Sequence, residues 1–321
     1  MMKLPFRQLV RVTLLAVLAV PAAARTGTQA PASPSSAPSP VKIEVTDEVG
    51  RRISVPVPVR RIVSLAPNLT ETIYALGAQD RLVGVTDYCD YPPEARQKTS
   101  VGGAVNPSIE QIVALKPDLV LAQAITMNRR ETVDALERLG IAVYSANSRS
   151  VEGILDSTRR VAEVIGAGEQ SAVLLRTLRA RLDDLKLRLA GRPLRRVLFV
   201  VWTEPLVSIG RQTFIADALR LAGAESIVET EQDWPRLSLE EVVRLQPEFL
   251  VFASSHSESV RTTIEDLSER SGWRGLDAIR HRRIAAISDA INRPAPRLVD
   301  ALEDLARQLH PEAFADKQAP R

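Results

Sequence analysis

Cysteine and histidine are scarce in this chain, and their scarcity excludes several kinds of site. The 321 residues include one cysteine, Cys89, and three histidines, His256, His281 and His310. A single cysteine excludes an intramolecular disulfide, and the histidines do not have metal-ligand spacing. There is also no phosphate-binding glycine loop and no nucleophile motif. The sequence therefore predicts a protein that is not an enzyme, binds no metal ion directly and carries no cofactor.

Aromatic residues and net charge are low as well. Aromatics make up 4% of the chain, and the 42 lysines and arginines exceed the 39 acids by only three. All three excess cations lie in the first 24 residues, at Lys3, Arg7 and Arg11. Without them the chain has no net charge, so it lacks the basic surface that nucleic-acid binding requires.

The N-terminus has the pattern of a secretory signal. The three cations precede an apolar run at residues 12–20, and Ala22, Ala23 and Ala24 offer a small-residue cleavage site. The run is too short to span a bilayer, which favours a signal peptide over residues 1–24. Residues 25–40 are rich in proline, serine and alanine and predict a linker. We expect a freely soluble, monomeric protein in the periplasm.

A segment of 14 residues occurs in two similar copies, at residues 108–121 and 238–251. Five positions are identical: Ser108/Ser238, Glu110/Glu240, Val113/Val243, Leu115/Leu245 and Pro117/Pro247. In each copy the serine is a good N-cap, with Gln111 or Glu241 three residues later, and the proline ends the helix. The apolar run that follows is typical of a buried parallel strand. The repeat therefore predicts two similar lobes with a cleft between them.

The rest of the chain completes an α/β fold. Short apolar strands alternate with helices over residues 41–150 and again over residues 193–312, which predicts two Rossmann-like lobes with parallel sheets. Residues 151–192 are helical without a strand, and a leucine stripe predicts one long bridging α-helix over residues 169–190, roughly 33 Å in length. Residues 313–321 form a tail. A ligand cleft is expected between the lobes.

Several segments resemble a known family. They are residues 61–71 (Arg-Ile-Val-Ser-Leu-Ala-Pro-Asn-Leu-Thr-Glu), 83–87, 90–93 (Asp-Tyr-Pro-Pro), 101–103 and both copies of the repeat. They look like the helical-backbone substrate-binding proteins of ABC importers, above all the periplasmic vitamin B12-binding type. The resemblance implies a protein that holds cargo between two lobes and delivers it to a permease in the inner membrane.

Candidate binding residues lie in loops at the ends of predicted strands. Tyr88 aligns with a ligand-contacting tyrosine of the B12-binding relatives, and Trp234 precedes the second glutamate of the repeat, where relatives often have a cleft tryptophan. Trp202 follows another strand. Asp289 and Arg293 follow the last strand, at a further edge of the expected cleft.

Glu110 and Glu240 occupy the same position of the two repeat copies. The resemblance implies that each lobe presents one of these carboxylates to cationic residues of the permease. An acid in a first helical turn can also act on the helix dipole alone, which contributes about 0.3–1 kcal/mol. The pairing of the two residues favours docking.

The cargo has three alternatives. A corrinoid, which is large and nearly neutral, needs aromatic walls such as Tyr88, Trp202 and Trp234 and ranks first. An anionic ferric siderophore needs arginines, for which Arg129, Arg130, Arg293 and Arg297 are candidates. Haem needs an axial ligand, which Tyr88 can supply. Tryptophans that the B12-binding pattern has near Ala104, Gln123 and Ala290 are absent.

Overall fold

The computed structural model describes residues 41–124, 128–253 and 265–315. The predicted signal peptide and linker lie outside these residues, as do His256 and the end of the predicted tail. Among the described residues, no helix is both long enough and apolar enough to cross a membrane.

An antiparallel hairpin opens the described chain. It consists of β1 (Val41–Thr46) and β2 (Arg52–Val57). Its turn is fixed to the first lobe by Glu48, whose carboxylate accepts hydrogen bonds from the amide of Asn147 at 2.7 Å and the hydroxyl of Ser157 at 2.6 Å. The phenol of Tyr144 also donates to Glu48 at 3.2 Å. Burial and the Glu48 charge raise the pKa of Tyr144 far above its usual value, so it remains a donor.

The N-terminal lobe is a five-stranded parallel sheet with helices around it. Its strands and helices are β3 (Ile62–Ser64), α1 (Pro67–Ala75), β4 (Leu82–Val85), β5 (Thr99–Ser100), α2 (Ile109–Ala114), β6 (Leu119–Gln123), α3 (Arg130–Arg138) and β7 (Val143–Ala146), with 3₁₀ turns at Gln79–Arg81 and Pro93–Gln97. The strand order is β5-β4-β3-β6-β7. Every residue of β6 and β7 is buried, which is why these runs show no alternation of polar and apolar residues.

Two helices connect the lobes. The predicted long helix is present as α5 (Gly168–Leu189), and the helical segment before it forms α4 (Val151–Ile165). Ile154 near the start of α4 packs in the core of the C-terminal lobe, whereas Val161 near its end packs in the core of the N-terminal lobe. Each core therefore holds one end of α4, and α5 packs beside it.

The start of α4 is anchored in the C-terminal lobe. The Ser150 hydroxyl accepts from the amide of Gly153 at 3.0 Å, and the Asp217 carboxylate accepts from the amide of Val151 at 2.8 Å. The first amides of a helix have no partners within the helix. Two of them are satisfied here, that of Gly153 by Ser150 and that of Val151 by Asp217 of the C-terminal lobe.

The C-terminal lobe contains a four-stranded parallel sheet. Its elements are β8 (Arg195–Val200), the short hairpin β9 (Trp202–Thr203) and β10 (Leu206–Val207), α6 (Phe214–Leu221), β11 (Ala224–Ser226), α7 (Leu239–Leu245), β12 (Phe249–Ala253), α8 (Asp277–Arg280), β13 (Ile284–Ile287), α9 (Leu298–Leu309) and α10 (Pro311–Phe314), with 3₁₀ turns at Trp273–Gly275 and Asp289–Asn292. The strand order is β11-β8-β12-β13. The prediction of two parallel α/β lobes is confirmed.

The two repeat copies have the same structure. The Ser108 hydroxyl accepts from the amide of Gln111 and the Ser238 hydroxyl accepts from the amide of Glu241, both at 3.2 Å. Both helices then end at a residue with positive φ just before the proline, 47° at Lys116 and 44° at Gln246. The serine caps and proline stops predicted from the sequence are therefore confirmed, and they lie at equivalent places in the two lobes.

Removal of either serine cap is expected to destabilise its lobe. Ser108→Ala or Ser238→Ala leaves one helical amide without its side-chain acceptor and should lower the free energy of unfolding by about 1 kcal/mol. Chemical denaturation measures this change. Ser108→Asn and Ser238→Asn keep a capping oxygen and serve as controls, so alanine and asparagine variants of equal stability would contradict the prediction.

Candidate ligand-binding site

A cavity of about 670 Å³ lies between the two lobes. Its walls are Pro67, Asn68, Asp87, Tyr88, Asp90, Arg96 and Gln123 from the N-terminal lobe and Phe214, Trp234, Asn292, Arg293 and Pro294 from the C-terminal lobe. Most of these residues lie in segments that follow the carboxyl end of a strand. Ligands of open α/β sheets bind at this edge, so the topology of both lobes explains the position of the cavity.

Aromatic side chains line both sides of the cavity. Tyr88 lies on the N-terminal lobe and is 61% exposed, and Trp234 lies on the opposite wall and is 40% exposed. Phe214, at the start of α6, adds a third ring that was not predicted from the sequence. Large aromatic surfaces left exposed inside a concave site are available to a ligand.

Trp202 lies elsewhere. It is 67% exposed on β9 and is not among the residues that line the cavity. Trp202 pairs with Val207 of β10 in the hairpin. Val207 also forms a β-bridge with Arg236, two residues after Trp234. Trp202 therefore lies on a hairpin near the Trp234 loop, whereas Trp273 is buried.

Buried amides form a polar part of the wall. The side-chain amide of Asn68 donates to Oε1 of Gln123 at 3.0 Å and to the carbonyl of Pro294 on the other lobe at 3.4 Å. Gln123, near which the sequence resemblance leads us to expect a tryptophan, thus places an amide in the cavity wall. Ala104 and Ala290 are buried.

An ionic cluster joins the lobes at the same edge of the cavity. Glu71 of the N-terminal lobe contacts Arg293 at 2.8 Å and Arg297 at 2.9 Å. Arg293 also contacts Asp90 at 2.7 Å and Asp289 at 3.1 Å, and Asp289 lies 3.5 Å from Arg297. Three carboxylates thus surround two guanidinium groups, and a third guanidinium group, that of Arg96, lies 3.8 Å from Asp90.

The arginines of this cluster remain charged although they are mostly buried. Burial acts against the charge of Arg293, but the carboxylates of Asp90 and Glu71 outweigh it and raise its pKa. Burial also opposes the charge of Arg297, and the hydrogen bonds from Arg297 to Glu71 outweigh it, so its pKa is raised too. The guanidinium of Arg297 lies 3.8 Å from the centre of the Tyr91 ring, a cation–π contact across the lobes.

The other two candidate arginines lie outside this cavity. Arg130 is highly exposed, lies 3.8 Å from Asp134 and lines a separate cavity of about 290 Å³ beside the N-terminal hairpin. Arg129 is exposed at the N-cap of α3. Neither residue is among those that line the cavity between the lobes.

Cys89, between the lining residues Tyr88 and Asp90, is buried. Its sulfur accepts a hydrogen bond from the Thr70 hydroxyl at 3.1 Å and lies 3.3 Å from the hydroxyl oxygen of Thr86. Burial raises the pKa of the Cys89 thiol, which keeps it protonated and unreactive at neutral pH.

Glu110 and Glu240 are exposed in the first turns of α2 and α7. Each helix leads back into a parallel strand, so its N-terminus lies at the cleft-side edge of its sheet. Within residues 41–124, 128–253 and 265–315, neither carboxylate has an ion-pair partner, whereas the adjacent Glu241 lies 3.9 Å from Arg244. Both carboxylates are therefore available to cations of another molecule.

The sequence as a whole matches a family model described as periplasmic binding protein, over residues 62–290. This match covers most of the chain and spans both lobes. The chain belongs to the periplasmic binding protein family. The resemblance found in its motifs is confirmed.

Individual members of the family resemble the chain over most of its length. The vitamin B12-binding protein of Vibrio cholerae is 30% identical over 263 residues, which is 80% of this chain and 91% of that protein. The crystal structure of the periplasmic vitamin B12-binding protein BtuF of Vibrio cholerae superposes with a TM-score of 0.70 at 28% identity, covering 81% of this chain and 99% of the other. The apo form of the periplasmic heme-binding protein RhuT from Roseiflexus sp. RS-1 superposes with a TM-score of 0.69 at 28% identity, covering 79% and 99%.

These relatives define the class of protein. Members of the periplasmic binding protein family bind substrates for transport and are not enzymes, and the relatives of this chain include substrate-binding proteins of ABC transporters. The two-lobed fold with a ligand cleft is common to the chain and to its solved neighbours. This chain is accordingly a substrate-binding component of the ABC-importer type.

Proposed function

We propose that this protein binds cobalamin in the cavity between its lobes and delivers it to an ABC permease of the inner membrane. Cleavage of the signal peptide at residues 1–24 releases it into the periplasm. The observation that carries the proposal is the lining of the cavity, in which exposed rings from both lobes accompany polar side chains whose charges cancel. A flat and nearly neutral macrocycle with amide edges is complementary to such a lining.

The charges of the cavity support a neutral cargo over an anionic one. Within the described ranges, four charged residues line it: Asp87, Asp90, Arg96 and Arg293. Their formal charges cancel, and Arg293 already contacts three carboxylates. An anionic ferric siderophore requires arginines that are free to bind it, whereas Arg293 is neutralised by carboxylates of the protein itself.

Haem is the second candidate. Tyr88 places a phenol in the cavity, where it can serve as an axial ligand to haem iron. RhuT, a solved relative with 28% identity, is a heme-binding protein. Haem also carries two propionates, which require cations. Among the residues that the structure describes, the arginines of the lining are Arg96 and Arg293, and both contact Asp90. The charge balance therefore favours the corrinoid.

Transport by this protein consists of capture without chemistry. The cargo enters a largely preformed cleft, because α4 and α5 restrain the two lobes. The loaded protein then docks on the permease through Glu110 and Glu240, one on each lobe. Two contacts on separate lobes allow the permease to recognise the relative position of the lobes as well as their surfaces.

Calorimetric titration of cyanocobalamin into purified residues 25–321 tests the cargo. We expect saturable binding with one site and a Kd of about 1 μM or tighter, equivalent to about −8 kcal/mol. A folded sample that gives no heat, checked at two temperatures, would overturn the cobalamin proposal. Titration of hemin into the same sample, followed by its absorption spectrum, then tests the second candidate, since ligation by Tyr88 shifts the Soret band and Tyr88→Phe abolishes the shift.

A further inference from the structure

Glu71 is the most deeply buried member of the ionic cluster between the lobes. Its side chain is 2% exposed, and it is not among the residues that line the cavity. Both of its oxygens are occupied: Oε1 accepts from Arg293 at 2.8 Å and from Arg297 at 3.0 Å, and Oε2 accepts from Arg297 at 2.9 Å. This two-pronged geometry between a carboxylate and a guanidinium is strong and directional.

The two sides of this contact are mounted on different cores. Glu71 belongs to α1, and Leu69 and Ile73 of the same helix are buried in the core of the N-terminal lobe. Arg297 immediately precedes α9, whose Leu298 and Leu302 are buried in the C-terminal core. A change in the distance between the lobes therefore has to stretch or break the bonds of Glu71.

The same cluster holds the loop that carries Tyr88. Asp90 contacts Arg293 at 2.7 Å, and Tyr91 lies under the guanidinium of Arg297. Asp90 and Tyr91 belong to the same loop and come two and three residues after Tyr88. Their partners, Arg293 and Arg297, both bind Glu71. The position of the Tyr88 ring relative to the opposite wall thus depends on arginines that Glu71 holds in place.

We propose that Glu71 is a positioning residue that sets the width of the cavity by locking the two lobes together. It also keeps Arg293 bound to carboxylates, which withholds its charge from the ligand. The proposal rests on the assignment of the cleft as the binding site and is independent of which cargo the cleft takes. Its physical basis is that one buried carboxylate is shared by two arginines of the opposite lobe.

Distances between spin labels on the two rims of the cleft test this proposal. Asn106 and Arg236 are exposed and occupy equivalent positions, each two residues before a repeat serine. Cysteines introduced at both positions carry the labels, and protein without added cysteines is the labelling control, because Cys89 is buried. The measurement uses full-length mature protein without cargo.

We expect a single narrow distance distribution in the parent protein and a broader distribution at longer distance in Glu71→Gln. Glutamine has nearly the shape of glutamate but removes the charge that two guanidinium groups share. If the arrangement in which Glu71 joins the lobes falls to about one tenth of the population, the apparent Kd for cyanocobalamin rises about tenfold. Arg297→Lys keeps the charge but loses the two-pronged bond, and it should broaden the distribution to a smaller extent.

Glu303→Gln is the matched control. Glu303 binds Arg181 at 2.8 Å, and Arg181 also contacts Asp300 at 2.7 Å, so this is another arginine shared by carboxylates. The ion pair between Glu303 and Arg181 joins α5 to α9 and does not cross the cavity. We expect Glu303→Gln to keep the narrow distribution even where its thermal stability falls, which separates positioning of the lobes from general destabilisation.

An unchanged distance distribution in folded Glu71→Gln, or in Arg297→Lys if the glutamine variant does not fold, would overturn the proposal. The cargo proposal fails differently. A parent protein that binds no cyanocobalamin, but whose distances still depend on Glu71, would overturn cobalamin as the cargo and retain the lock between the lobes.

Discussion

Reversal of both Glu110 and Glu240 to lysine is expected to reduce cargo import to less than about a tenth of the parent rate, because like charges placed opposite each other at an interface cost several kcal/mol. The Kd for cyanocobalamin should remain unchanged, since neither residue is among those that line the cavity. Uptake of labelled cyanocobalamin by cells, together with calorimetry on the purified variant, measures the two quantities separately.

The geometry explains why the two reversals should act together. Glu110 and Glu240 lie in the first turn of the capped helix of each repeat copy, at the cleft-side edge of each lobe. A permease that contacts both lobes meets one carboxylate on each. A single reversal leaves the other contact intact, so we expect each single variant to retain part of the import activity.

The control carries the same change in charge elsewhere. Glu169 and Glu225 are exposed, and Glu169 also lies in the first turn of a helix. Glu169→Lys combined with Glu225→Lys alters the net charge as much as the docking variant does, and we expect normal import from it. Equal loss of import in both double variants would indicate a general effect of charge and contradict docking through Glu110 and Glu240. Loss of cargo affinity in the docking variant would also contradict it.

Trp234→Ala is expected to weaken cyanocobalamin binding by about 2 kcal/mol, which corresponds to an increase in Kd of about 30-fold. Trp234 is one of the few large rings that face the cavity, and alanine leaves a gap in the wall without creating a buried polar group. Trp234→Phe keeps a stacking surface and should recover most of the affinity. Calorimetric titration of the three proteins measures these differences.

Trp202→Ala is the matched control for this prediction. Trp202 is more exposed than Trp234 but is not among the residues that line the cavity, so its replacement should change the Kd by less than about twofold. A larger effect at Trp202 than at Trp234 would mean that cargo contacts the β9 hairpin, and the position of the binding site would have to be moved there. Similar thermal stability of the two alanine variants is required for the comparison.

Local features of the fold could be predicted because short stretches of sequence contain the whole physical cause. Ser108 and Ser238 each bond an amide three residues away, and Pro117 and Pro247 end the helix where they occur. The buried strands β6 and β12 were recognisable because strands covered on both faces need apolar residues at consecutive positions. The repeat of these local signals predicted the two lobes without any knowledge of their contacts.

The cavity was predicted only in part. Tyr88, Trp234 and Arg293 line it, Asp289 lies next to it in the ionic cluster, and Trp202 lies outside its lining. Loop position indicated which segments lie at the edge of the sheets, but it did not indicate which side chain of a segment turns inward. Phe214 and Asn68 were missed for this reason, since each is the first or second residue of an ordinary helix.

The sequence by itself determined the two α/β lobes, the helices that join them, the equivalent placement of Glu110 and Glu240, and the near-absence of net charge, because each of these depends on local patterns or on composition. Only the tertiary structure decided what the charges do. Glu71 and Arg293 are separated by 222 residues and meet only because the lobes face each other. Glu71 also pairs with Arg297, so two arginines that could have bound an anionic ligand instead form a contact between the lobes.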